Sequence, residues 1–191
     1  MTGAGLLLAL ACAPRLLRVE NELLRMQNAE LRSRIDAAER SARPSDFAAE
    51  VNGEVLRSYL GRVGHSNPEQ GPGDLLTVPI SGRNARFRVS VQHFPRERVL
   101  FIATHDYIRL EEVTSSNAMV LVLTQLAALN YDLLLGKFQL NPRSGEISLS
   151  VEINLDDGLG FATWSAAFAH LVRTADERYP DLMRAVQGQG L

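Results

Sequence analysis

Residues Asn130–Leu155 read NYDLLLGKFQLNPRSGEISLSVEINL. Two apolar runs, Leu133–Leu140 and Glu146–Leu155, flank Asn141-Pro142-Arg143-Ser144-Gly145. Asn141 and Pro142 favour turn initiation, and Gly145 tolerates positive φ. Phe138 and Leu140 alternate with Lys137, Gln139 and Asn141. Ile147, Leu149, Val151 and Ile153 alternate with Glu146, Ser148, Ser150 and Glu152. A period of two describes a half-buried antiparallel hairpin with its apolar side inward. That side must be covered, so helices are expected on one face of a sheet.

Reading outward, Asp156-Asp157-Gly158 makes a turn, and Gly160 to Val186 is a helix. Phe161, Trp164, Phe168, Leu171 and Ala175 form its core stripe, followed by Tyr179 and Leu182, with Pro180 placed to kink or restart it. Asp157 is expected to cap that helix or to complement its dipole. Upstream, Ser115 or Ser116 caps a helix over Asn117–Leu129. This helix is apolar around almost its whole circumference, which suits burial in the domain or in a subunit interface. Leu75–Ser81 and Ala85–His93 read as strands around Gly82-Arg83-Asn84, and Val99–Thr104 as a third strand running on to Ile108. Before them, Ser45 is expected to cap a helix carrying Phe47, Val51, Val55, Tyr59 and Val63. The fold class is therefore α+β. A two-layer domain over residues 44–191 holds an antiparallel five-stranded sheet with helices, in the order α-β-β-β-α-β-β-α.

The chain has 191 residues, 46% of them hydrophobic and 22% charged, with a net charge of −2. That balance is ordinary for a globular protein and supplies no global field toward nucleic acid. The single cysteine, Cys12, excludes an intrachain disulfide. It lies near the end of the apolar run Gly3–Ala13, about half the length of the roughly 20 residues a membrane helix needs. Leu8-Ala9-Leu10-Ala11-Cys12 resembles a bacterial lipobox. Residues 1–12 are accordingly expected to be a signal segment with Cys12 as the lipid attachment site. The competing reading is an apolar leader on a cytoplasmic protein.

Residues 13–43 are expected to form a stalk. Leu17, Leu24, Leu31 and Ala38 recur every seven residues, and Asn21, Asn28 and Ile35 take the alternating core position. About three heptads of this kind predict a parallel two-stranded coiled coil, in which Asn at a core position fixes register. Leu17, Asn21, Leu24, Asn28, Leu31 and Ile35 are thus the expected oligomerisation residues. A single solvated helix rich in Arg and Glu is the alternative.

Catalytic patterns are sparse. His65, His93, His105 and His170 show no i,i+4 pair and have no cysteine beside them, so zinc spacing is absent. His105-Asp106 with Ser115 or Ser116 can be written as a triad, but no nucleophile elbow supports it. Glu111-Glu112 and Asp156-Asp157 are adjacent carboxylates, which point apart on a strand. Arg83, Arg86 and Arg88 read as a solvated strand face rather than as an anion site. No cofactor or metal is implied, and no enzymatic activity is expected.

The residues Asn130, Gly136-Lys137-Phe138, the Gly145 turn, Ile147–Ile153, and Phe168, Ala175 and Asp176 of the last helix carry a resemblance. Together with the element order over Ser45–Gln187, they are similar to the YbjN family, whose fold is that of the type III secretion chaperones. The resemblance implies dimerisation and binding of extended or partly unfolded peptide segments, without catalysis. The leader and coiled coil depart from those chaperones, as does the mild acidity. The expected function is a non-enzymatic, membrane-tethered protein- or peptide-binding module in the bacterial cell envelope. It is held there by a lipid, is a homodimer, and takes no nucleic acid. Val51, Val55 and Tyr59 are the expected peptide-binding stripe, if they are not simply core. The alternatives are an envelope assembly factor acting through its coiled coil, and a cytoplasmic ligand-sensing regulator.

Overall fold

The structure, a computed structural model, describes residues 46–110 and 115–189. The chain divides into two units, Met1–Asp46 and Phe47–Leu191, and every described element lies in the second. Cys12, the coiled-coil positions Leu17, Asn21, Leu24, Asn28, Leu31 and Ile35, and Glu111-Glu112 lie outside the described residues.

The elements are β1 (Phe47–Ala48), α1 (Gly53–Arg62), β2 (Glu69–Gln70), β3 (Leu76–Ser81), β4 (Arg86–Phe94), β5 (Val99–His105), β6 (Ile108–Arg109), α2 (Ser116–Asp132), β7 (Lys137–Leu140), β8 (Glu146–Asn154), β9 (Leu159–Gly160) and α3 (Phe161–Val186). The architecture is the expected α+β arrangement, an antiparallel sheet with three helices. Its main sheet runs β2-β3-β4-β5-β8-β6, and β7 pairs with β8 as well. The five longer strands are those expected. The additions are two-residue pieces, too short to show any periodicity in sequence.

Three expectations are corrected. The first helix does not begin at Phe47. Asn52 caps it, its Oδ1 accepting from the N–H groups of Glu54 at 3.0 Å and Val55 at 3.1 Å. Phe47 and Ala48 instead pair with Gly160 and Leu159 across a small separate ladder. The third strand does not run unbroken to Ile108. It ends at His105, Asp106 turns with φ +53°, and pairing with β8 resumes at Ile108 and Arg109. Thr104 Oγ1 takes up the Leu149 N–H at 2.9 Å beside this break. Finally, Asp157 does not cap α3, whose N-cap is Gly160 with no side-chain bond.

The hairpin of β7 and β8 forms as its alternation requires. Phe138 faces Leu149, Leu140 faces Ile147, and Gly145 carries φ +68° in the turn. Val89, Val91, Leu100, Ile102, Leu149 and Val151 are buried on the sheet face that carries the helices. Trp164, the single tryptophan, is fully buried and stacked between Phe161 and Phe168, with Tyr59 at its edge.

Helix α3 is also bolted to the β3–β4 turn. The Asp176 carboxylate accepts from the backbone N–H groups of Arg83 (3.0 Å), Asn84 (2.8 Å) and Ala85 (3.0 Å). Pro180 lies within an unbroken α3 and has no N–H for the Asp176 carbonyl four residues earlier. Asn84 Nδ2 donates to that carbonyl instead, at 3.1 Å. At the preceding residue, the Tyr107 hydroxyl donates to the Ala175 carbonyl at 2.6 Å. Gly82 is required at the same point, because a Cβ there would stand 2.1 Å from Asp176 Oδ1.

Candidate functional site

Helix α2 carries no charged residue from Ser116 to Tyr131. Ser115 caps it by accepting from the Ala118 N–H. Ala118, Val122, Leu126 and Leu129 turn inward at helical spacing and are buried. The opposite stripe faces outward: Val120 is 62% exposed, Leu123 47% and Tyr131 91%. Ala127 and Ala128 are exposed between them, and Leu134 and Leu135 extend the patch into the connector. Large exposed apolar patches are uncommon on monomeric proteins and tend to mark interaction surfaces. The sequence had offered burial in the domain or in an interface. One half of α2 takes the first role, and its outward half is unpartnered among the described residues.

Two side chains hold this patch in place. Asn130, at the end of α2, pairs with the backbone of Phe138: its Oδ1 accepts from Phe138 N–H at 2.7 Å and its Nδ2 donates to Phe138 C=O at 3.0 Å. The amide thus occupies the place of a further strand. His170 on α3 bonds to the Leu135 carbonyl at 3.1 Å, a structural role rather than a ligating one.

Each edge of the sheet is blunted at one place. In an antiparallel strand, alternate residues turn their N–H and C=O outward. On β3 the outward set includes Leu75, whose carbonyl accepts from Gly71 N–H, then Thr77, which pairs with Glu69 of β2. Pro79 follows and has no N–H to offer a further strand, which is where proline is tolerated in a sheet. On β7 the outward groups of Phe138 are taken by Asn130. The stretch of β8 beyond β7, at Glu152 and Asn154, has no strand on its outer side among the described residues.

The stripe Val51, Val55 and Tyr59 does not form an open groove in this structure. Val51 is buried in the extended stretch before α1, Val55 is half-buried, and Tyr59 is 2% exposed. The Tyr59 hydroxyl donates to the Leu159 carbonyl at 3.0 Å, and its ring packs on Phe161 and Trp164. Tyr59 is thus spent on joining α1 to α3, while Val51 and Val55 pack against the core.

The structure also separates the triad that could be written from sequence. Ser115 is the α2 cap. His105 Nε2 lies instead 2.7 Å from Ser90 Oγ, and its Nδ1 is 3.7 Å from Glu146 Oε1. The three residues come from three strands, so no local motif announced them. Ser90 is 3% exposed in mid-strand, leaving no room for a substrate carbonyl, and the Glu146 carboxylate also accepts from Asp106 N–H. The arrangement is a cross-strand tie. Arg88 pairs with Glu69, while Arg86 is exposed, consistent with the solvated face expected of that cluster. Among the described residues, no group of three or more His, Cys, Asp and Glu side chains could hold a metal.

No protein-family profile matches the chain, and no curated protein matches its sequence. Solved structures do match in three dimensions. YbjN from E. coli, a candidate transcription regulator, superposes with TM-score 0.54 at 12% identity, covering 74% of this chain and 95% of that one. A chain of the ExsC–ExsE complex superposes with TM-score 0.50 at 17% identity, covering 68% of this chain and 92% of that one. The resemblance carried by Asn130, the Gly145 turn and the Asp176 region therefore holds at the level of fold. In this chain Asn130 and Asp176 are two of the residues that tie helix to sheet.

Proposed function

We propose that this protein is a non-enzymatic, dimeric polypeptide-binding module, held at a membrane surface through a lipid on Cys12 and a stalk over residues 13–43 with a coiled coil over Leu17–Ala38. The observation that carries the protein-binding part is the uncharged, outward face of α2 on a chaperone-like scaffold. Val120, Leu123, Ala127 and Tyr131 can meet the same face of a second copy across a two-fold axis, because a surface without charge is compatible with itself. Ala127 and Ala128 allow two helix backbones to approach closely. One of the similar structures was solved as a complex of two proteins, which supports the binding of a polypeptide partner.

The guarded positions at Pro79 and Phe138 favour a partner that docks on side-chain surfaces over strand addition there. The test uses the full chain and reduced, carboxymethylated α-lactalbumin as a permanently unfolded probe. The chain is expected to retain the probe on a sizing column and to run as a dimer by light scattering. Leu123→Glu with Val120→Glu is expected to yield a folded monomer. A wild-type chain that is monomeric at high concentration and retains no unfolded probe overturns the reading. Separately, intact mass of the cellular protein is expected to show a lipidated N-terminal Cys12, and an unmodified Met1 overturns the tether.

A further inference from the structure

A pocket of about 330 Å³ opens between the segment following β1 and the end of the β4–β5 hairpin. Its apolar wall includes Val51, Pro95 and Leu155, and its polar lining is Glu50, His93 and Arg98. The volume is at the small end of ligand sites and suits one side chain or a compact molecule.

The polar groups are not equivalent. Arg98 is engaged already, its guanidinium lying 3.2 Å from the Asp156 carboxylate and donating to the Asp156 carbonyl. His93 has a side chain only 12% exposed, and its Nδ1 is sealed from solvent 3.6 Å from Asp74 Oδ2. A carboxylate can only accept, so this neighbour favours the tautomer with the proton on Nδ1. Nε2, which is neither bonded nor sealed, is then a lone-pair acceptor at the pocket. Glu50 is exposed on the rim with no ion pair or side-chain hydrogen bond among the described residues. The groups left over are thus both acceptors, and they stand above an apolar wall. Arg98 is neutralised by Asp156, which leaves Glu50 as the unpaired charge of the lining.

We infer that this pocket accepts an ammonium or guanidinium group carried on an aliphatic stem. The stem packs on Val51, Pro95 and Leu155, and the cationic head donates to Glu50 and His93 Nε2. Long basic side chains bury their stems and keep the head at a polar rim in this way. The source of the group as a Lys or Arg side chain of a bound polypeptide rests on the polypeptide-binding reading. A free alkylamine offers the same chemistry.

The experiment follows the His93 imidazole resonances of the full chain by ¹⁵N-edited NMR. The probes are N-acetyl-lysine methylamide, its neutral isostere N-acetyl-norleucine methylamide, n-butylamine and sodium acetate. The lysine probe is expected to shift the His93 signals and to bind at least about tenfold more tightly than the norleucine probe, a gap well within a charge-assisted contact. Glu50→Gln, at an exposed and unbonded position, is expected to abolish most of that difference without altering the fold. Equal binding of n-butylamine and blocked lysine supports recognition of the ammonium alone. Tighter binding of blocked lysine supports a polypeptide source. Norleucine binding as tightly as lysine, acetate shifting His93 in preference to the amines, or Glu50→Gln leaving the affinities unchanged overturns the inference. Retention of unfolded α-lactalbumin by the same preparation separates the two failures. Retention without a His93 shift sinks the pocket alone, and no retention sinks the wider reading.

Discussion

Asp176→Ala removes one carboxylate and frees three backbone N–H groups at once, those of Arg83, Asn84 and Ala85. Hydrogen bonds to a charged group contribute roughly 1.5–3 kcal/mol each when sheltered. The Arg83 and Asn84 bonds are exposed, so water replaces the acceptor there at little cost, while the Ala85 bond is part-buried. The sum after that discount is about 2 kcal/mol, most of it from the sheltered bond. Urea unfolding followed by Trp164 fluorescence reads this loss directly, since Trp164 is fully buried on the same helix. In a domain of this size, about 2 kcal/mol lowers Tm by about 4–8 °C.

Asp176→Asn is expected to cost nearly as much, because it turns an amide donor toward one of the three N–H groups. The contribution also has a pH signature. Burial acts to raise the Asp176 pKa, but the N–H groups of Asn84, Ala85 and Arg83, with the Arg83 charge, outweigh it and hold the carboxyl below its usual range. The folded state therefore releases this proton more readily than the unfolded state. The stabilisation is complete above the unfolded carboxyl value of about 4 and is lost as pH falls through the lower folded value. Wild type and Asp176→Ala should differ by a constant amount near neutrality and converge in acid. A difference under about 0.5 kcal/mol at pH 7, within the range of ordinary surface substitutions, would refute the reasoning.

Gly82→Ala places a methyl group where the Asp176 carboxylate sits, so it should destabilise at least as much as Asp176→Ala; the double variant, by equilibrium unfolding, should cost little more than either single one. Asn130→Ala should uncover the outer edge of β7, lowering stability by about 1–3 kcal/mol and accelerating hydrogen exchange at the Phe138 amide. Tyr107→Phe removes the bond to the Ala175 carbonyl for about 1 kcal/mol. The Tyr107 phenol is pushed upward by burial first, then by Tyr179, Asp176 and Asp181. Its stabilisation is thus full below about pH 10, the unfolded value, and falls as pH rises above it, a decline that Tyr107→Phe should flatten in alkaline unfolding curves.

What could be read from sequence was what local patterns encode. The β7–β8 hairpin followed from alternation about Gly145, the α2 cap from Ser115, and most of α3 from its aromatic stripe. The start of α1 is hard to place from sequence because Phe47 and Val51 continue the spacing of Val55 and Tyr59, although Asn52-Gly53 is the stronger cap. The β1–β9 ladder has two residues on each side and leaves no periodic trace. For the candidate site, the uniform apolarity of α2 pointed to burial or association, but the outward direction of Val120 and Leu123 depends on where α3 lies. The Asp176 lock joins residues about ninety positions apart, and the pocket at His93 gathers three separate segments. No window on the sequence contains either.

The Asn130 amide that stands in for a strand beside Phe138, and the proline at the opposite margin, have a bearing on self-preservation. A protein that meets unfolded chains meets many unpaired strands, each able to recruit a bare sheet margin into a growing fibre. Here each margin carries one such guard, Asn130 beside Phe138 and Pro79 on the opposite strand. At those two places a foreign strand finds the hydrogen-bonding groups of the sheet already spent or missing.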